Sequence, residues 1–531
     1  MRIMIVANGA HTPGAWTNRW LIPGLISAGH RPIACDPSLL AGLLGVSQAQ
    51  SVLVAAAKVH QPHLIITNPP YDLVFPATAQ AWKDLGTRPL GWRTDDPGFI
   101  ADLATGPAAA EAAMTAAQSR YTLVGTGSRL GYDYLRRQGC TNLAYLPMML
   151  SEIPDGGYTL TAAFDCTFVG SGYARTADAT AARHALLNDV ARAGIPLQVF
   201  GHGWETVSGV DSSGFVPEEA LNPLFRRSTV NLAVDQWRRA TMGWRPLQIA
   251  LAGGLVVAGP CPDLADYFEP DKEIVIVRNQ ADLHDRLKSL LAAPQEAAAI
   301  ASAGQRRAQR DHTFAKGWPM VQAAVETIWQ RPLDPGTVPT GADPVALATL
   351  ITANSALAHM LEARQRHEEA IYLFKDILGL VPTDFGARTG LARMLERLGQ
   401  KQDAMKLWVH AASLVEPIGY GQDMRLNVLP SSALITPEQL EPRLGALIEA
   451  QRLAAELKDA PTFLYTLPML LPYYFDSILA FAEGLLADKP RPDEQAFVAA
   501  IVTHLYEQHD RYPQAKDRLF NLRRKLSYGT P

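Results

Sequence analysis

GWRPLQIALAGGLVVAG, residues 243–259, decides the architecture. A helical run reaches Ala252-Gly253-Gly254, and an apolar run with paired valines follows directly. Small residues at that joint let the helix meet the next strand closely. A short strand with no polar face belongs to a parallel sheet covered on both sides. The same alternation extends outward. Upstream, residues 165–169 predict a strand ending in Gly170-Ser171-Gly172 and 177–193 a helix. Residues 197–200 predict a strand ending in Gly201-His202-Gly203, and 230–234 another; downstream, 274–277 close the set. Nearer the N-terminus, strands are expected at 1–6, 31–34, 63–67 and 122–125, with a helix over 16–28. Strands separated by helices and closed by Gly, Pro or Asp indicate doubly wound α/β domains. Two Rossmann-like halves are expected, over 1–155 and 156–330, with ligands in the cleft between them.

From about residue 340 to 531 the alphabet changes to Ala, Leu, Glu, Arg and Gln, and strand-like runs vanish. Leu357, Ala358, Leu361, Ala370 and Phe374 recur 34 residues later as Leu391, Ala392, Leu395, Ala404 and Trp408. Pro382 and Pro417 close the two copies one position out of register, and a degenerate copy is expected at Tyr506, Ala515 and Leu519. This is the spacing of tetratricopeptide repeats, in which small residues let two helices approach and larger ones fill the groove. An all-α helical-repeat domain follows the α/β pair.

The bulk numbers exclude several classes. Of 531 residues, 48% are apolar and 19% charged, and the net charge is −4. There is no basic surplus to neutralise phosphates, so nucleic acid is not an expected partner. Cys35, Cys140, Cys166 and Cys261 form neither CxxC nor metal-ligand spacing, so no metal site is expected and a reducing, cytoplasmic setting is. The most apolar stretch, 463–486, is interrupted by Pro468 and Pro472 and carries Asp476 and Glu483. A bilayer span needs about 20 nearly uncharged residues, so a buried helix is expected there. VGTGSRLG, residues 124–131, imitates a dinucleotide fingerprint, but its spacing is GxGxxxG and no acidic residue closes a second strand about 20 positions on. No P-loop, HExxH or GxSxG occurs.

Taken together, FVGSGYAR (168–175), LQVFGHGWE (197–205), FVP (215–217), LNPLFRRSTVNLAVD (221–235), the 243–259 run, DLADYFEPDKEIVIVRNQADL (263–283) and RDHTF (310–314) carry a resemblance. Their order resembles the C-terminal half of GT-B glycosyltransferases, most nearly the spore-maturation CgeB-like family, over roughly 165–329. GWRTDDPGF (91–99) and NLAYLPMM (142–149) extend it into the first half. The resemblance implies a bacterial-type transferase using a nucleotide-diphosphate sugar as substrate, without a cofactor or an obligatory metal. It also implies that the second half holds the donor. Gly170, Ser171 and Gly172 then turn backbone amides toward a diphosphate, as glycines between strand and helix can. Gly201 and His202 line the donor pocket.

Arg245 stands at the start of the helix that the family uses near the diphosphate, where a guanidinium offers a fixed fork of donors. Gln248 occupies a position where the family usually has a glutamate that accepts from ribose hydroxyls. Glutamine keeps a carbonyl acceptor and adds donors. The departure admits an altered donor preference or a catalytically inactive GT-B domain kept as a binding or scaffold module. For the general base the candidates are His11, in the loop after the first strand, and Asp95 or Asp96. Adjacent strand residues face opposite ways, so at most one of that pair points into the cleft. A helix at 318–329, apolar at helical spacing, is a candidate to cross back to the first half. The repeats are expected to recruit a protein acceptor or partner.

Overall fold

The computed structural model describes residues 1–12, 15–68, 73–93, 120–153, 163–172, 177–204, 210–233, 242–330, 343–414, 437–486, 491–507 and 515–528. The chain forms two compact units, Met1–Leu350 and Ile351–Pro531.

The first unit contains two parallel sheets. Its first half runs β1 (Arg2–Val6), a π-helical turn (Thr17–Leu21) continuing into α1 (Ile22–Ser27), β2 (Arg31–Cys35), α2 (Pro37–Leu44), α3 (Val46–His60), β3 (Leu64–Thr67), α4 (Pro76–Asp84), β4 (Arg88–Arg93), β5 (Leu123–Thr126), α5 (Arg129–Arg137) and β6 (Leu143–Tyr145). The second half runs β7 (Phe164–Val169), α6 (Ala177–Arg192), β8 (Leu197–Phe200), β9 (Asp211–Ser212), α7 (Glu218–Arg226), β10 (Ser228–Ala233), α8 (Trp244–Ala252), β11 (Val256–Ala258), α9 (Leu264–Tyr267), β12 (Val275–Ile276), α10 (Gln280–Ala292), α11 (Pro294–Asp311) and α12 (Phe314–Trp329). The strand orders are β2-β1-β3-β4-β5-β6 and β12-β11-β10-β7-β8-β9. Both are Rossmann-type orders, and each reverses direction once, between β1 and β3 and between β7 and β10. Ligands bind such sheets beyond the carboxyl ends of the strands at the reversal.

One apolar cluster joins the halves. It passes from Ile3, Ile5 and Ile66 in the first sheet through Trp20 and Leu25 to Phe225, Leu247, Tyr267, Phe314 and Trp318. Helix α12 packs on α1 because Gly24 has no side chain. A Cβ there would lie 2.2 Å from Phe314 Cδ2. Trp92 meets the same ring edge-on at 6.3 Å, and the Arg88 guanidinium lies 3.5 Å from the centre of the Trp329 ring.

After α13 (Pro344–Ala363) come α14 (His367–Leu380), α15 (Phe385–Arg397), α16 (Lys401–Leu414), α17 (Pro437–Leu457), α18 (Ala460–Leu485), α19 (Pro492–Glu507) and α20 (Lys516–Tyr528), and from α14 on each packs on the next. Ala358, Ala370, Ala392 and Ala404 are completely buried where helices meet. Glu362 of α13 takes both prongs of Arg393 of α15, at 2.9 and 3.0 Å, and Glu396 of α15 takes Arg452 of α17 at 2.5 Å. Glu362 and Glu396 are themselves 34 residues apart, so the acidic members of the two pairs have the spacing of the repeat. Pro468 and Pro472 do not interrupt α18, and the helix expected over 463–486 forms. A proline removes one hydrogen bond and crowds one carbonyl, and the buried Phe463, Leu467, Leu470, Ile478 and Leu479 outweigh that cost. Among the described residues one helix, α13, is long and apolar enough to cross a membrane, with 39% of its most apolar window buried.

Gly24→Ala is expected to destabilise the first unit by about 1–3 kcal/mol, since Phe314 is fully enclosed and has nowhere to move. Gly42→Ala, on α2 with open space around it, is expected to stabilise by about 0.5–1 kcal/mol. Urea denaturation of the two variants checks both signs.

Candidate functional site

At the reversal point of the second sheet the two glycine turns face each other. The amides of Gly170 and Gly172 donate to Phe200 O at 2.9 Å and His202 O at 2.7 Å. The carbonyls of the first turn are also engaged: Trp204 Nε1 donates to Gly170 O at 2.8 Å, Arg183 Nη1 to Ser171 O at 2.7 Å, and His184 Nε2 lies 2.6 Å from Gly172 O. A Cβ on Gly201 would stand 2.1 Å from Gly170 O, and one on Gly172 would stand 2.1 Å from Gly203 O. The glycines are therefore required for the mutual approach of two turns. The amides of Gly170 and Gly172, expected to face a diphosphate, are instead taken up between the turns. Gly201 N–H donates to Gly214 O at 2.8 Å, which brings the next loop alongside. There the His202 ring stacks on Phe215, with centroids 5.0 Å apart and planes 8° from parallel. Phe215 is 63% exposed.

Helix α8 begins beside the same reversal point. Gly243 precedes it without a side-chain cap, and Pro246 stands in its first turn. Its first amides have no carbonyl partner within the helix and carry the positive end of its dipole. Arg245 is fixed in this turn. Its guanidinium lies 4.3 Å from the Trp244 ring centre and 5.7 Å from that of Phe225, and Nη1 donates to Gln248 Oε1 at 2.5 Å. Gln248 is wholly buried. A buried glutamate here would set a negative charge against Arg245. Glutamine holds the guanidinium by a carbonyl and brings no charge of its own.

In the first half, His11 is 7% exposed, in the loop beyond β1 at that sheet's reversal point. The Asp36 carboxylate grips the loop from one side, accepting from Gly9 N–H at 2.7 Å while capping α2 through Ser38 and Leu39. Asn18 grips it from the other, on the π-turn. The same turn carries Trp20, whose ring lies 6.5 Å from Trp244 across the cleft. The structure thus brings Trp244, the ring on which Arg245 lies, against the element that holds the His11 loop. Asp95 and Asp96 lie outside the described residues.

A second set of contacts joins the halves, and no motif announces it. Arg129 Nε and Nη2 donate to the two Asp266 oxygens at 2.5 and 2.7 Å, and Tyr145 Oη donates to Asp266 at 3.0 Å. The Arg129 backbone N–H donates to Asp263 Oδ1 at 2.9 Å, and Met148 N–H donates to Tyr267 Oη. The glycine-rich decoy at 124–131 ends here: Ser128 Oγ accepts from Gly131 N–H at 3.0 Å, so Ser128 caps α5 and that amide is taken up. The Arg129 guanidinium holds Asp266 below the usual carboxylate range, while burial pushes Asp263 up to about 6.

Two Rossmann-type halves in succession, meeting at their reversal points, form a GT-B architecture. Residues 178–318 match a family described as glycosyl transferase-like. No curated protein matches the chain by sequence. Among solved structures, the chain is similar to Anabaena Alr3699/HepE in complex with UDP and glucose, at 12% identity over 62% of this chain and 100% of that one, with a TM-score of 0.44. It is also similar to a sucrose-phosphate synthase from Thermosynechococcus elongatus, at 15% identity over the same shares, with a TM-score of 0.45.

Asp263 is more readily protonated folded than unfolded, so its ionisation opposes folding. That penalty is absent below about pH 4, the unfolded value, grows as pH rises, and is complete above about 6. Asp263→Asn keeps an oxygen for Arg129 N–H and removes the penalty. The melting temperature of the variant relative to wild type is expected to rise between pH 4 and 7 and then level off.

Proposed function

We propose that the chain transfers a sugar from a nucleotide-diphosphate donor to a hydroxyl acceptor. The observation that carries this is Arg245, held rigid by Trp244 and a neutral buried Gln248 at the uncapped start of α8. A fixed guanidinium beside a helix N-terminus stabilises the charge that develops on a departing diphosphate more than it stabilises the intact donor. The stacked His202–Phe215 pair offers an exposed aromatic face to the nucleobase. His11, in the loop beyond β1, is the first-half group that takes the acceptor proton. Closure of the halves then excludes water that would hydrolyse the donor. On motif order we place the chain near the CgeB-like transferases, and on its four scattered cysteines in a reducing, cytoplasmic setting. The 34-residue periodicity supports a tetratricopeptide-like tail that recruits a protein acceptor or partner.

The test is a thermal-shift panel of uridine and guanosine diphosphate sugars, followed by assay of nucleoside diphosphate release with acceptors. A donor at 100 times its Kd is expected to add about 2.7 kcal/mol of stability to wild type. Arg245→Ala is expected to weaken that donor about 10–100-fold, the worth of a charge-assisted hydrogen bond. Gln248→Glu separates two views of that position. If the glutamine serves Arg245, the new carboxylate neutralises the guanidinium and weakens the donor about tenfold or more. Stronger binding by the variant means instead that residue 248 reads the ribose. A wild type that binds donor but releases no nucleoside diphosphate is a binding module, and one that binds no donor refutes the proposal.

A further inference from the structure

The π-helical turn Thr17–Leu21 matches no motif, yet it touches both sides of the cleft. Asn18 Nδ2 reaches three carbonyls of the His11 loop: Ala10 O at 2.7 Å, Thr12 O at 3.1 Å and Gly9 O at 3.4 Å. One amide group thereby holds the backbone on both sides of His11, while Asp36 holds Gly9 N–H at 2.7 Å. Two residues on, nearly opposite around the turn, Trp20 is buried against Trp244 of the second half at 6.5 Å, with ring planes 49° apart. Trp244 is the ring on which Arg245 lies. The far end of the turn passes straight into α1, where Gly24 is locked against Phe314 of α12. So the turn meets the second half through Trp20, its continuation α1 meets it again through Gly24, and Asn18, just before both, grips the first-half loop. Turns with this wider hydrogen-bond pattern are rare and recur at functional sites.

We propose that this π-turn is the positioning element of the cleft. Asn18 sets the loop that presents His11, and Trp20, through Trp244, sets the distance of that loop from Arg245. The acceptor hydroxyl and the donor diphosphate are thereby held in register. The inference rests on the reading of Arg245 as diphosphate holder and His11 as base. Its chemistry is entirely geometric: neither Asn18 nor Trp20 exchanges a proton or touches the reacting atoms. A loosened register leaves donor binding intact and slows transfer, since displacement of about 1 Å can cost 100-fold. Water, which needs no such alignment, continues to attack the donor.

The test uses the full chain and the nucleotide sugar that shifts the wild-type melting temperature. Asn18→Ala is expected to lower kcat about 10–100-fold, with donor Kd and melting temperature close to wild type. The ratio of transfer to donor hydrolysis should fall in parallel. Asn18→Asp, which loses the N–H donors but keeps size, should behave as Asn18→Ala does. Trp20→Leu should show the same split of kcat from donor affinity, and Trp20→Phe, which restores a ring against Trp244, should recover most of the rate. Should Asn18→Ala fail to fold, the Trp20 pair carries the test alone. Folded variants whose kcat and transfer-to-hydrolysis ratio stay within about threefold of an active wild type overturn the inference and leave the transferase reading standing. A wild type that shows neither donor binding nor transfer overturns the reading itself, and the inference with it.

Discussion

The contact of Gly24 with Phe314 governs the rest of the first unit. Two separately covered parallel sheets have no intrinsic reason to present their reversal points to one another. Here the last helix of the second half lies on the first helix of the first half, at a separation that admits no side chain at residue 24. Trp92, Trp318 and Trp329 fill the surroundings from both directions. Because α1 continues directly from the π-turn, fixing α1 also fixes where Asn18 and Trp20 stand. The site is therefore aligned by an apolar contact well away from its polar groups, as packed interiors transmit position with little give.

Within that frame the polar groups divide into those that hold backbone and those left to act. The glycine turns hold one another, Asp36 and Asn18 hold the His11 loop, and Gln248 holds Arg245. At the reversal point of the second sheet stand a guanidinium, a helix N-terminus and an exposed aromatic ring. Along another edge the halves are pinned by Arg129, Tyr145, Asp263 and Asp266, where a carboxylate held low by a guanidinium sits close to one pushed up by burial.

The α/β class and the second sheet were legible because short, mostly apolar strands such as LQVF and VVA run directly into glycine. β4 escaped because RPLGWR carries proline, glycine and two arginines, and β6 and β9 because three and two residues leave no period to detect. The helix over 463–486 was legible from its apolar length, while the packing that offsets the local cost of its two prolines was not. At the site, Arg245 could be named from its place before an apolar helix. The partner of Gln248 could not, since a side chain's acceptor is decided by the fold. Glycines at 170, 172 and 201 signalled close approach correctly, but not what approaches. The Arg129–Asp266 pair spans 137 positions and has no local signature, and Asn18 resembles any polar residue at a helix start.

The ladder of Glu362–Arg393 and Glu396–Arg452 gives the helical unit a particular social character. Along that line of helices the charges already have mates, so a visiting chain gains little from bringing its own. It must displace an internal pairing for each new one it makes, a trade of near-equals in partly exposed surroundings. For any chain that docked there, shape and apolar contact would decide affinity, and charge only orientation.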